Sequence, residues 1–250
     1  MSNTGLAEVA KPIILAVDTS SHQASLAVSR GEEIVASISI NNNLPHSQTL
    51  FPNISELLRI AGLKIQDVNV FATATGPGSF TGLRVGLAAV KGLADSLGKP
   101  CLGIDSLDLP ALATGFDGQH LVMIEAGRGE VYCGIREVAA GDIINRSTDD
   151  KVGTPSLVLG SIASDLQDVQ VIVTGNGVTK HKEEVQALID KFCVEMGKSL
   201  ILKWHSFTGD SFNPSATLAR RACHLLESNQ AAPVKPHYIR PSDAEIQCQR

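Results

Sequence analysis

The chain has 250 residues, with 26 acidic and 21 basic side chains and a net charge of −5, which argues against a freestanding nucleic-acid binder with its usual basic excess. Aromatic residues make up only 4 %, too few for stacking platforms that hold single strands. The five cysteines are scattered and form no CxxC pair, which disfavours a zinc ribbon or dithiol motif and suits a reducing compartment. No secretory pattern opens the chain and no apolar stretch is long enough to span a bilayer, so a cytoplasmic protein is expected.

Residues 12–20 form a continuous apolar run ending in Asp18 and hydroxyls, which predicts a central strand. Residues 23–30 and 34–40 predict two further strands in a meander. A helix is expected over 47–61, where Leu50, Ile54, Leu57, Leu58 and Ala61 recur at helical spacing and Gly62 supplies the stop. A strand over 68–74 breaks into the turn Gly76-Pro77-Gly78, and a helix rich in small residues follows over 79–97. A strand over 100–105 and a short helix over 107–114 close this half.

The second half repeats the plan. Residues 120–126 predict a strand ending in Glu125, followed by strands over 130–137 and 143–147. A helix (156–166), a strand (169–174), a helix (179–192) and a strand (199–204) complete it. Aligning Asp18 with Glu125 brings the two halves into register. The order β-β-β-α-β-α-β thus occurs twice, which predicts an α/β fold of two related subdomains. A final helix over 214–228, with Asn213 as cap and Pro214 in the first turn, is expected to pack back on the first half. The first subdomain is placed at residues 1–110 plus 213–250, and the second at 111–212.

Three places offer chemistry. Asp18 ends the first strand, where a carboxylate can face a metal or phosphate or cap its own turn. The Gly76–Pro77–Gly78 turn opens a helix, a place where free N–H groups can hold phosphate, yet no Walker lysine follows. Gly82, Gly86 and Ala89 share one helical face, and helical glycines at a cost of roughly 1 kcal/mol each call for a close neighbour. That neighbour is the 47–61 helix or a helix of another subunit. Arg128, at the tip of a Gly-x-Gly hairpin, can clamp an anion or lie exposed. His46 has no second histidine at helical ligand spacing, so no metal is assigned to it, and it reads as a helix-start or interface residue.

Four stretches carry a resemblance: Ile14-Leu15-Ala16-Val17-Asp18-Thr19-Ser20, Pro45-His46-Ser47-Gln48-x-Leu50, Gly76-Pro77-Gly78-Ser79-Phe80-Thr81-Gly82-Leu83-Arg84-x-Gly86, and Arg128-Gly129-Glu130-Val131-Tyr132. With the tail Pro236-His237-Tyr238-Ile239-Arg240-Pro241, they resemble the TsaB (YeaZ) family of tRNA threonylcarbamoyladenosine biosynthesis subunits. The resemblance implies an actin/Hsp70/sugar-kinase-like (ASKHA) fold. It also implies a non-catalytic subunit without the paired-histidine metal motif of the TsaD-type transferase. Such a subunit binds and activates that transferase and, with the TsaE-type ATPase, supports threonylcarbamoylation of adenosine 37 in tRNA. On this reading the chain pairs as a homodimer when alone, meets tRNA only through the complex, and has no membrane partner. The interface is then built from His46, Leu50, Ile54, Leu57, Gly82, Gly86 and Ala89. No cofactor belongs to the chain by itself, and ATP or ADP with magnesium is allowed at the subunit interface. The alternatives are an independent ATPase or phosphotransferase, with Asp18, Gly76, Gly78 and Arg128 around the phosphates, and a glycoprotease-like metallopeptidase.

Overall fold

The computed structural model describes residues 11–146, 149–167, 169–207, 212–230, 232 and 234–239. The tail motif's Arg240 and Pro241, Cys248, and the end of the strand expected to reach residue 147 lie outside them. Two mixed sheets form the frame. The first holds β1 (Ile13–Asp18), β2 (Ala24–Arg30), β3 (Glu33–Ile40), β4 (Val70–Gly76) and β5 (Cys101–Asp105), in the order β3-β2-β1-β4-β5. The second is built from β6 (Gly118–Gly127), β7 (Glu130–Ala139), β8 (Asp142–Arg146), β9 (Lys151–Gly153), β10 (Gln170–Thr174) and β11 (Ile201–His205). Its order is β11-β10-β6-β7-β8, and β9 pairs with β7. In each sheet an antiparallel meander is extended by two parallel strands beyond its first member. The same topology is therefore built twice.

The helices are α1 (His46–Ile60), α2 (Phe80–Leu97), α3 (Asp108–Ala113), α4 (Pro155–Ile162), α5 (Asn176–Met196) and α6 (Pro214–Glu227). The apolar run of β1 is explained by burial on both faces, as central strands require. Leu15 and Val17 point into one cluster with Leu50, Ile54 and Leu57 of α1 and Val90 of α2. Ile14 and Ala16 point the other way, onto Leu218, Ala219 and Ala222 of α6. α6 thus closes the first sheet although the whole second sheet intervenes in sequence. Its start is fixed by Asn213, whose Oδ1 accepts from the Ala216 N–H at 3.2 Å, with Pro214 in the first turn. In the second half, Val158 and Leu159 of α4 and Val185 and Ile189 of α5 cover Leu121, Met123, Val171 and Val173. The opposite face meets Leu107 and Ala111 through Val122, Tyr132 and Val138, and this smaller cluster joins the two halves.

Several expectations shift. The helix over 156–166 stops at Ile162, and one 3-10 turn carries the chain to Asp165. α5 begins at Asn176 because Gly175, at φ 108°, makes the turn by itself, and it runs on to a left-handed Gly197. The sequence alignment of Asp18 with Glu125 is also displaced. Val17 lies beside Thr73 and Val122 beside Thr174, so with the two threonines equated, Asp18 corresponds to Met123. A two-residue slip preserves the side of the sheet each residue faces, which is why the pattern tolerated it.

Candidate functional site

The turn between β4 and α2 is clasped on both sides by the chain itself. A Cβ on Gly76 would stand 2.5 Å from the His237 carbonyl oxygen, and Gly76 itself has a φ of 113°. A Cβ on Gly78 would stand 2.3 Å from the Ser20 carbonyl oxygen, and that oxygen accepts the Ser79 N–H at 2.6 Å. The close backbone approach that a phosphate would require is already made by protein. The same loop explains the helical glycines. A Cβ on Gly82 would meet the Thr19 carbonyl oxygen at 2.1 Å, and one on Gly86 would meet Thr19 Oγ1 at 2.3 Å. Thr19 Oγ1 donates to the Gly82 carbonyl at 2.8 Å.

Gly82, Gly86 and Ala89, expected to present a surface to another subunit, pack within the chain, although Gly82 also lines the groove between the starts of α1 and α2. The two glycines are buried against the Thr19 loop, and Ala89 packs in the first-subdomain core. Leu50, Ile54 and Leu57 are likewise core residues, at 2, 4 and 0 % exposure. Helical spacing marked them as one face, and that face points inward. His46 opens α1, half-buried, with Nε2 2.9 Å from the Ser21 carbonyl oxygen.

The outward side of α1 and the loop before it carries apolar residues. Leu44, just before α1, is 55 % exposed and Phe51 is 52 % exposed. Beside them a groove of about 260 Å³ runs between the starts of α1 and α2, lined by Leu44, Pro45, His46, Thr81 and Val85 among others.

Between the two halves lies a larger cleft of about 490 Å³, bordered by Ser20–Gln23, the α2 start, Glu125–Gly127, Tyr132, Asn176 and the tail residues His237–Ile239. Arg128 sits beside it, exposed at the hairpin tip in a left-handed conformation (φ 56°) between Gly127 and Gly129. Asp18 is buried, and its Oδ1 accepts the Ser20 N–H at 2.8 Å, the local cap weighed from sequence. Burial pushes its carboxyl above the usual range, against the pull of hydrogen bonds from Ser20. A carboxylate already costly to ionise does not favour an approaching phosphate.

A buried charge network underlies the cleft. Arg136 of β7, with no exposed side-chain surface, donates to Asp108 (2.6 Å), to Asp150 (2.8 and 2.9 Å) and to Asp105 (3.4 Å). Arg146 adds a 2.5 Å bond to Asp108. His237 Nδ1 lies 2.8 Å from Asp105 Oδ2. Burial lifts Asp105, but the bond from His237 and the charge of Arg136 outweigh it and hold the carboxyl low. Asp108 is raised, by burial first and by Asp105 second. The Asp105 bond raises His237 above its ordinary value. Asp105, Asp150 and His237 place ligand atoms within 4.8 Å of one another, yet the Arg136 guanidinium already supplies their cation. None of this network stood out from sequence, except that Arg136 interrupts an apolar strand. The Tyr238 ring packs tilted against Phe80 with centroids 4.9 Å apart, the Arg84 guanidinium lies 3.8 Å from the Phe80 ring centre, and Tyr132 Oη reaches the Gly78 carbonyl at 3.4 Å.

Comparison with known proteins bears on this arrangement. The family model described as TsaD, tRNA N6-adenosine threonylcarbamoyltransferase, matches residues 33–246. The tRNA threonylcarbamoyladenosine biosynthesis protein TsaB of Bacillus subtilis is 30 % identical over 179 residues, covering 70 % of this chain and 76 % of that protein. The Escherichia coli protein of the same name is 32 % identical over 124 residues, 48 % of this chain and 52 % of its own length. Among solved structures, YeaZ from Pseudomonas aeruginosa superposes with a TM-score of 0.67 at 23 % identity, over 91 % of this chain and 99 % of the other. The ROK hexokinase of Thermus thermophilus gives 0.51 at 11 % identity, over 87 % of this chain and 99 % of that one, a likeness of fold.

Proposed function

Since the chain belongs to the TsaB (YeaZ) family and so has a role in tRNA threonylcarbamoyladenosine biosynthesis, we propose that it is the non-catalytic subunit that binds and activates the TsaD-type transferase. The observation that carries this reading is the outward side of α1, where Phe51 stands exposed and Leu44 lines an open groove between the starts of α1 and α2. Large exposed apolar side chains next to a concavity are the usual anchors of a protein interface. The proposed interface is therefore the groove side of the α1 and α2 starts, which His46 and Gly82 also line. A homodimer of the free chain would use the same surface, and tRNA is met through the complex.

The reading assigns no cofactor to the chain alone. The Ser20 and His237 carbonyls occupy the backbone positions a phosphate chain would need, which supports it. Micromolar binding of magnesium-ATP by the isolated chain in calorimetry would favour the independent ATPase instead. The central test is capture of the same organism's TsaD-type subunit, followed by tRNA modification with and without this chain. Phe51→Asp is expected to reduce capture at least about tenfold, equivalent to roughly 1.4 kcal/mol, with an unchanged circular dichroism spectrum. Undiminished capture by this variant and by Leu44→Asp would remove the proposed interface.

A further inference from the structure

Beneath the large cleft lies a second, smaller cavity of about 150 Å³, reached past Ser20, Ser21 and Asn176. Its lining combines Asp18 and Ser106 with the apolar surfaces of Ile124, Phe207 and Phe212. Asp18 is 3 % and Ser106 is 2 % exposed. The Ser106 hydroxyl has no hydrogen-bond partner among the described residues. Asp18 accepts from Ser20, but no cationic side chain among the described residues forms an ion pair with it. Burial outweighs the pull of the Ser20 bonds and of the His46 charge on the Asp18 carboxyl, and a buried carboxylate so placed and a buried hydroxyl without a partner are both costly. Two such residues lining one cavity call for a ligand that satisfies both.

We propose that this pouch binds a small primary ammonium compound, with its charged head on the Asp18 carboxylate and the Ser106 hydroxyl and its short apolar body against Ile124, Phe207 and Phe212. Size, charge and polarity each narrow the class. A cavity of this volume holds a molecule of about six non-hydrogen atoms. A buried carboxylate excludes anions and favours a cation, and the Ser106 oxygen accepts one ammonium N–H. The rings of Phe207 and Phe212, stacked at 4.5 Å, offer aromatic surface suited to the carbons next to an ammonium. The proposal is independent of the subunit reading, because it concerns the pouch and not the α1–α2 surface.

The test uses the full chain with n-butylammonium, n-butanol and butyrate as probes, followed by calorimetry and by NMR shifts of residues around the pouch. Butylammonium is expected to bind at least about tenfold more tightly than butanol, the factor expected for one charge-assisted hydrogen bond, and butyrate not at all. Asp18→Asn keeps the acceptor for the Ser20 N–H and is expected to abolish that preference. Ile124→Trp, which fills the pouch from its rim, is expected to abolish binding of both neutral and charged probes. Equal affinity for butanol and butylammonium by the unaltered protein would overturn the proposal whether or not the variants fold. So would an absence of shifts at about 50 mM butylammonium, well above the affinity expected even of weak millimolar sites.

Discussion

Glycines 82 and 86 show how a single missing methyl group can determine a helix position. Their Cβ atoms would fall 2.1 Å and 2.3 Å from oxygens of Thr19, and the first of these is backbone, which cannot rotate away. Gly82→Ala is therefore expected to destabilise the chain by about 1–3 kcal/mol, measured as a shift in the urea midpoint at unchanged slope. Arg136 is the opposite case, a long charged side chain held entirely inside. Arg136→Met would leave Asp105, Asp108 and Asp150 without their shared cation, a loss expected to be roughly 3–5 kcal/mol. Urea unfolding at neutral pH measures it. His237 adds a pH signature. Its pKa is raised above the ordinary 6.5 by the bond to Asp105, so its contribution is complete below pH 6.5 and is lost as pH rises through the raised value. The stability advantage of the unaltered chain over His237→Gln should accordingly be largest below pH 6.5 and shrink above it. An advantage that instead grows with pH would contradict the assignment.

At the scale of elements, α1 and α2 separate what a sequence can express from what it cannot. The spacing of Leu50, Ile54 and Leu57 correctly marked a helix with one shared face, because amphipathic period is a local property. It could not say whether that face meets the chain's own sheet or another subunit. Only the packing against Leu15 and Val17 decides it. Gly82 and Gly86 likewise announced a close neighbour, and the neighbour proved to be Thr19, more than sixty residues earlier in the chain. The β-β-β-α-β-α-β order was legible because each strand and helix carries its own periodicity. β9, three residues long and lacking alternation, was not. The charge network was hidden for another reason: Asp105, Asp108, Arg136, Arg146 and Asp150 come from five separate elements and loops, and nothing local joins them. α6 offers a clean check of the cap that was visible. Asn213→Ala removes the acceptor for the Ala216 N–H and is expected to cost about 1 kcal/mol, read from the thermal midpoint.

In the whole molecule, two sheets of one topology meet across a cleft whose walls are tied together beneath it. Asp105 and Asp108 belong to the first half, Arg136 and Arg146 to the second, and His237 to the tail. An ion network shared across the seam resists opening, since separation would expose its members to water one at a time and leave the others unpaired. The tail adds a second tie on the same side, through the His237 N–H to the Thr75 carbonyl at 2.8 Å and Tyr238 on Phe80.

The placement of α6 has a consequence for synthesis. During translation, β1 to β5 leave the ribosome with the Ile14 and Ala16 side of their sheet uncovered. The chain must then make all of the second sheet before Leu218, Ala219 and Ala222 arrive to cover it. For that interval a nascent half-domain carries an open apolar face, the kind of surface that chaperones hold and that aggregates if left alone. The second half, whose cluster under α4 and α5 is contiguous in sequence, can consolidate first, so the half that begins the chain finishes folding after the half that follows it.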